Sequence, residues 1–355
     1  MIITVNSQHL AQALRCISKI VPAQPTIQIL GSVLVEATDV LRLLATDLEV
    51  GLTVICPAVI TRPGTCALPA LPVLQLLEQF SDGTVTIVTD ESGTRIQYGT
   101  FVSKLQTFLA AEFPRVPRPE GTAISLSGAD IGRLVTATRY AVAERGKKFI
   151  LEGALLKLAG HSMGMIATDT NRLSIATVYQ ATDANLAIIV PRKTLDIIPL
   201  LGIGTLDLHV GTNHVFFASR DMLLTSRLIE GKFPAYERIV PRDNDKRVIV
   251  ERTRLAAALR RVGVAADKNA AAYCTIEAHT LTLSAKSVEV GEAAEHLPIQ
   301  YNGTPLTVCL NWQYLLDFLT VAIGQTITID VKNEQSPLLV SDGISFLNVI
   351  MTMRG

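Results

Sequence analysis

"GMIATDTNRLSIA", Gly164 to Ala176, reuses a fragment seen earlier in the chain. "RLLATDLEVGL", Arg42 to Leu52, carries the same Ala-Thr-Asp 122 residues before it, Ala45–Asp47 against Ala167–Asp169. A fixed period is the mark of a repeated architecture, so self-similarity is the first property to test. Three kinds of segment recur. The first is a short strand entering an amphipathic helix: "TVNSQHLAQALRCISKIV", "SLSGADIGRLVTATRYAV" and "IVERTRLAAALRRVGVAA". Leu10, Ala13, Leu14, Ile17 and Val21 form one apolar stripe at helical spacing. Ile131, Leu134 and Val135 begin the second, and Leu255, Ala258, Leu259 and Val262 form the third. The leading residues Leu10, Ile131 and Leu255 lie 121 and 124 residues apart.

The second kind is again strand then helix: "CALPALPVLQLLEQF", "IIVPRKTLDIIPLL" and "VCLNWQYLLDFLTV", with Leu74, Leu195 and Leu315 spaced by 121 and 120. The third is a closing Phe-Pro, Phe113-Pro114 and Phe233-Pro234, 120 apart, each opening a Pro-rich or charged linker. Between the helices, stretches such as "TVTIVTDESGTRIQY" and "TLDLHVGTNHVFFAS" alternate apolar and polar residues around turn clusters, as strands do. The expected fold is therefore α+β: three copies of two helices on a mainly antiparallel sheet, with domains at 1–119, 120–243 and 244–355. The third copy keeps only Ser284-Ala285-Lys286 at the Ala-Thr-Asp position.

Bulk composition agrees. At 355 residues the chain suits two or three domains, and 48% hydrophobic against 18% charged residues describes a well-buried globular protein. Lys plus Arg equals Asp plus Glu at 32 each, which argues against coating nucleic acid by total charge but leaves a local basic surface open. "MIITVNSQHL" has no basic segment followed by an apolar one, so no signal peptide is expected. The longest uncharged stretch, Leu297 to Leu316, includes Pro298, Asn302, Gly303 and Pro305 and is no membrane span. Five scattered cysteines without C-x-x-C spacing read as reduced thiols, which points to the cytoplasm.

Cations stand opposite the apolar stripes: Arg15 and Lys19, then Arg133 and Arg139, then Arg252, Arg254, Arg260 and Arg261. On one helix such residues read as a solvated face. On three repeated helices they add up to a stripe, whose natural partner is phosphate, bound without reading sequence.

Together these segments resemble one family, the bacterial DNA polymerase III beta subunit, or sliding clamp. The resemblance runs the full length and is carried by "PTIQILGSVLVEA", "ATDLEV", the "EFP" linker, "ATDTNRLSIA", "IVPRKTLDII", "IEGKFPAYERIVP", "LNWQYLLDFL" and "VIMTMRG", in that order and spacing. It implies a non-catalytic processivity factor without cofactor or metal: a head-to-tail homodimer closing a six-domain ring on double-stranded DNA, helices inside and sheets outside. Twelve helices at about 10 Å each give a bore of ~28 Å, wide enough for a duplex and a water layer. Implied partners are a clamp loader, DNA polymerases and repair proteins, with no membrane.

By the same resemblance, a partner peptide docks in a groove between the second and third domains. Its matching positions are Leu151, Thr168, Thr170, Asn171, Arg172 and Leu173, then Pro234, Arg238, Ile239, Asn311, Tyr314 and Ser336, and finally Val349, Ile350, Met351, Thr352, Met353 and Arg354. Leu173, Ile239, Val349 and Met351 suit an apolar socket, and Arg172, Asn311 and Tyr314 suit a peptide backbone. Matching DNA-side positions are Gln24, Arg145, Lys148, Arg192 and Lys193, beside Arg15, Lys19, Arg133 and Arg139. The dimer edge is expected where Val264 meets Leu105.

Departures from the family pattern are specific. Thr170-Asn171 replaces Gly-His, an aromatic near Asn269 is missing, Thr352 replaces Pro, and Gly355 ends the chain in place of a large apolar residue. Gln24 stands where Arg is frequent, and Leu71-Pro72 where a basic pair is. They imply weaker or altered peptide binding, and allow a specialised or inhibitor-resistant second clamp.

The rival reading is an enzyme. "GHSMG", Gly160 to Gly164, matches the nucleophile elbow of serine hydrolases, with Ser162 served by Asp207 and by His214 or His296. That elbow needs a helix directly after the serine. "MGMIATDTNRLSIATVY" instead reads as strand, and the aligned "EATDVLRLLATD" as strand, turn and strand, so GHSMG is expected at a hairpin tip. "GIG" at Gly202–Gly204 lacks a third glycine, and "EAAEH", Glu292 to His296, is too loose for a zinc helix. Asp47 and Glu49 are expected to satisfy turn amides.

Overall fold

The computed structural model describes residues 1–90, 93–146 and 148–354. One succession of elements occurs three times, the first copy carrying an additional strand, Ala58–Arg62. It begins with β1 (Ile2–Asn6), α1 (Ser7–Ser18), β2 (Ser32–Ala37), β3 (Leu41–Thr46), β4 (Val50–Cys56), β5 (Ala58–Arg62), β6 (Gly64–Pro69), α2 (Ala70–Leu77), β7 (Thr84–Asp90), β8 (Gly93–Tyr98) and β9 (Phe101–Leu105). The second copy runs β10 (Ile124–Ser127), α3 (Gly128–Thr138), β11 (Gly153–Ala159), β12 (Ser162–Thr168), β13 (Arg172–Tyr179), β14 (Leu186–Pro191), α4 (Arg192–Ile197), β15 (Thr205–Val210), β16 (His214–Ala218) and β17 (Met222–Arg227). The third runs β18 (Lys246–Glu251), α5 (Arg252–Val262), β19 (Ala271–Glu277), β20 (Thr280–Ser287), β21 (Gly291–Pro298), β22 (Leu306–Asn311), α6 (Trp312–Val321), β23 (Thr326–Val331), β24 (Leu338–Ser341) and β25 (Phe346–Ile350).

The α+β expectation holds, with one local difference. α4 stops at Ile197 and continues as a 3-10 turn, Ile198–Leu201, because Pro199 cannot donate the next helical hydrogen bond. Pro72 is tolerated in α2 because it lies in the first turn, where amides have no helical acceptor.

The chain packs as two compact units, Met1–Ile131 with Lys193–Leu228, and Gly132–Arg192 with Ile229–Gly355. The first unit holds a five-stranded sheet, β5-β1-β7-β8-β9, and an eight-stranded one, β10-β15-β16-β17-β4-β3-β2-β6. In the second, an eight-stranded sheet, β14-β11-β12-β13-β25-β24-β23-β18, accompanies a four-stranded one, β21-β20-β19-β22. Each eight-stranded sheet crosses a repeat boundary. β4 pairs antiparallel with β17 from Val50↔Ser226 to Val54↔Met222, and β13 pairs with β25 from Arg172↔Ile350 to Ala176↔Phe346. Unbroken main-chain ladders across these boundaries explain why the middle repeat is shared between the units.

Alternation along β2 gives the sheet two apolar faces. Val33 and Val35 turn to the helices, sharing a core with Ile3, Leu10, Leu14 and Val73. Leu34 turns the other way, into a cluster with Ile29, Ala67 and Phe113. The second unit repeats the device: Phe233 is buried with Leu155, Ile166, Ile189 and Ile229. Each Phe-Pro therefore pins a linker to the face opposite the helices.

The Ala-Thr-Asp echo is a turn. Thr46 Oγ1 donates to Val50 O at 3.0 Å and accepts from Leu48 N, while Asp47 Oδ1 accepts from the amides of Glu49 and Val50 at 3.0 and 2.7 Å. In the second repeat Thr168 donates to Arg172 O at 2.7 Å and accepts from Thr170 N, and Asp169 Oδ1 accepts from Asn171 N and Arg172 N. The residue after each Asp takes left-handed backbone, Leu48 at φ 78° and Thr170 at φ 81°. Short polar side chains cap the turn amides that the strands cannot.

Candidate functional site

In the second unit the pinned linker and the β13–β25 junction enclose a groove of about 660 Å³. Of the expected peptide positions, Leu151, Thr168, Thr170, Arg172, Leu173, Pro234, Ile239, Val349 and Met351 line it. Leu173 and Val349 are opposed residues of β13 and β25, so strand register brings these distant positions side by side. Met351 is 40% and Ile239 41% exposed, leaving apolar surface at the mouth.

Other expected positions have different work. Arg172 lines the groove and is at the same time held by partners within the protein. Its Nε donates to Asp169 at 3.0 Å, Nη1 to Asp317 at 2.5 Å and Nη2 to the Tyr140 carbonyl at 2.6 Å. The guanidinium lies over Tyr314, 4.4 Å from the ring centre, so Tyr314 supports Arg172. Asn311 caps α6 by accepting from Gln313 N at 2.9 Å. Arg238 and Ser336 line a separate cleft of about 600 Å³, which shares Ile239 with the groove. Ile350 is fully buried, one residue out of phase with Val349 on its strand. Asn171 contributes its carbonyl, which accepts from Met351 N at 2.9 Å. Thr352 bridges to Leu310, Met353 N donates to Cys309 O at 2.8 Å, and Arg354 is exposed. Asn269 sits in a turn whose amide donates to Asp267 at 3.0 Å. Gly355 lies outside the described residues.

Five lining residues were not expected in the groove: Lys148, Phe149, Ile150, Glu230 and Lys232. Lys148, expected on the DNA side, is exposed at the rim of the groove. Phe149-Ile150, an apolar pair directly before Leu151, was the available signal.

The cationic positions are partly committed within the protein. Lys193 is paired with Asp47 and donates to Ile20 O at 3.2 Å. Arg192 donates to Val142 O at 3.5 Å, and burial together with the Arg192 charge lowers the Arg139 pKa. Arg15 meets Glu78 at 3.1 Å. Arg252 donates to Gly324 O and Leu319 O, Arg254 meets Glu251 at 2.7 Å, and Arg261 meets Glu295. Arg133, like Arg139, has interactions of its own. Gln24, Lys19, Arg145 and Arg260 are exposed. The uniform cationic stripe thus becomes a mixture of ion pairs and a few outward charges.

Leu105 ends β9, an edge strand of its sheet, and Val264, 70% exposed, occupies the 3-10 turn that packs by β21, another edge. Ser162 opens β12 behind the left-handed pair Gly160-His161, and its Oγ donates to Ala159 O at 2.7 Å. A strand follows it, so the elbow geometry is missing. His296 Nδ1 contacts Thr282 Oγ1 at 2.9 Å and His214 leans on Phe216. Among the described residues no group of three His, Cys, Asp or Glu could hold a metal, and no helix is long and apolar enough to cross a membrane.

Comparison with known proteins follows the same order along the chain. Three family profiles match in series: the N-terminal domain of the DNA polymerase III beta subunit over residues 1–117, its central domain over 125–235 and its C-terminal domain over 237–354. The chain is 29% identical to the beta sliding clamp of Pseudomonas aeruginosa and 30% identical to that of Caulobacter vibrioides, each over 99% of both chains. The crystal structure of the Pseudomonas aeruginosa beta subunit superposes with a TM-score of 0.94 at 28% identity, covering 100% of both chains. A sliding clamp from that species bound to griselimycin gives the same values. With all three domains matched in order, the chain belongs to the DNA polymerase III beta subunit family, the sliding clamps of DNA replication.

Proposed function

We infer that two copies of the chain close head to tail into a six-domain ring around double-stranded DNA, with domains at 1–119, 120–243 and 244–355. The carrying observation is the identity of the strands at the repeat boundaries. The fifth element of the first repeat, β4, pairs with the last strand of the second, β17; the equivalent β13 pairs with the last strand of the third, β25. The pattern calls for a third pair, β21 with β9, and within one chain both are sheet edges. A second copy supplies each with its partner and removes two open edges. Lys104 on β9 is opposite in sign to Glu292 on β21, while Arg95 and Glu295 are paired within the chain with Asp90 and Arg261. Phe101 and Val102, 41% and 58% exposed, add apolar surface.

In this reading the chain catalyses nothing. Topology retains the ring on DNA, and scattered outward cations give weak, sequence-independent phosphate contacts. The groove at Leu173, Ile239, Val349 and Met351 takes a partly hydrophobic peptide from DNA polymerases, repair proteins and the clamp loader. Sedimentation at micromolar concentration should give twice 38.3 kDa. A monomer at every concentration contradicts the ring.

A narrower version, a specialised or inhibitor-resistant second clamp, is favoured by Thr170, a β-branched residue at φ 81° on the groove wall. Griselimycin affinity should rise in Thr170→Gly if this side chain narrows the site; an unchanged value removes the narrower version.

A further inference from the structure

The eight-stranded sheet of the first unit carries a second cleft, of about 1010 Å³, on the face away from α1 and α2. Linker residues 113–119 form one wall, held by buried Phe113. The floor is aliphatic: Leu34, Leu44, Ile55 and Leu223.

This cleft does not duplicate the peptide groove. The pair equivalent to Leu173↔Val349 is Gly51↔Thr225. Val116 of the linker closes onto Gly51, where a Cβ would lie 2.8 Å from Val116 Cγ1. The counterpart of the apolar socket is thus filled, and the open space lies farther along β2, β3 and β4.

Its charge differs too. Arg42, Arg115, Arg118 and Arg220 line the cleft against Glu36 and Asp221. Arg42 is tied to Asp39 at 3.1 Å. Among the described residues no hydrogen bond or ion pair engages Arg115, Arg118 or Arg220. Such guanidinium groups bind carboxylates through parallel N–H donors. A nucleic-acid strand is less suited: no aromatic ring is offered for base stacking, because Phe113 is 6% exposed, and the aliphatic floor suits side chains of a peptide better than a sugar-phosphate backbone.

We propose that this cleft docks an acidic, extended segment of a partner protein, its aliphatic side chains on the Leu34–Leu223 floor and its carboxylates on Arg115, Arg118 and Arg220. The site lies within one unit of one chain and does not depend on ring closure.

The test uses the full chain and a fluorescein-labelled octapeptide of alternating Glu and Leu, followed by anisotropy. A Lys-Leu octapeptide and an eight-nucleotide oligo-dT serve as competitors. Binding of the Glu-Leu peptide should weaken by about ten-fold or more in Arg115→Glu/Arg118→Glu, weaken with added NaCl, and persist in Met351→Glu. Arg220→Glu, on an exposed turn, provides a second variant if the linker variant unfolds at a lower temperature. Unchanged binding in the arginine variants, loss in Met351→Glu, or equal binding of the Lys-Leu peptide overturns the proposal. Displacement by oligo-dT overturns it in favour of a nucleic-acid site.

Discussion

Arg172 Nη1 lies 2.5 Å from Asp317 Oδ2, an ion pair joining β13 to α6 across 145 positions of sequence. Asp169, the Tyr140 carbonyl and the Tyr314 ring complete the surroundings of a guanidinium whose side chain is only 11% exposed. Tyr140 in turn contacts Asn348 of β25 and Ser174. Behind the groove, Arg172 is therefore the centre of a polar network that ties β13 to α6 and β25.

Removing Arg172 leaves Asp169 and the Tyr140 carbonyl without their strongest donor. Arg172→Ala should cost about 2–4 kcal/mol in urea unfolding, since breaking a buried pair exposes the full desolvation cost of what remains. Asp317→Asn should cost less, because Asp317 is 43% exposed. Equal stability of Arg172→Ala and the parent would mean that the network holds nothing.

Thr170 is the one groove residue with strained backbone. Left-handed φ crowds a β-branched side chain, and glycine removes the clash while losing some entropy on folding. Thr170→Gly should raise stability by about 1 kcal/mol, read as an increase in Tm. A fall would show that the Thr170 side chain holds the turn.

Burial raises the thiol pKa of Cys56 to about 11 and of Cys274 to about 12. A raised value keeps the proton on sulfur at pH 8, so the nucleophilic thiolate is scarce until pH approaches those values. Native protein at pH 8 should leave both unlabelled by iodoacetamide while urea-unfolded protein reacts at all five cysteines, as mass spectrometry would read. Rapid native labelling of Cys274 contradicts the packing of β19.

Glu295 titrates below the usual carboxylate range because Arg261 holds it, which ties α5 to β21. A lowered carboxyl pKa contributes stability above the unfolded value, and that contribution is lost as pH falls through the folded one. Glu295→Gln should therefore unfold at slightly lower urea than the parent at pH 7, a small effect for an exposed pair, with the difference shrinking as pH falls below about 4. A difference that grows on acidification contradicts this assignment.

The triplication was legible because side-chain period and turn chemistry are written locally. Leu10, Ile131 and Leu255 announce helices, and Thr-Asp announces a capped turn. Phe113 and Phe233 marked linkers, though not that they bury on the far side of the sheet. The sheets joining repeats were not legible: β4 and β17 meet through main-chain hydrogen bonds, which leave no residue signature. Spacing could place Arg172, Lys193 and Arg15 near useful surfaces. It could not show that Asp317, Asp47 and Glu78, distant in sequence, neutralise them. Phe149 and Lys232 escaped because their place in the groove depends on where two linkers fold back.

Topological retention is the property that separates a closed ring from a charged surface. The protein loaded on a nicked circular duplex, then passed through a sizing column at 0.3 M NaCl or so, should stay with the DNA and be released when one restriction cut linearises it. Equal retention on circles and on linear DNA with free ends, or loss from both as salt rises, would contradict encirclement.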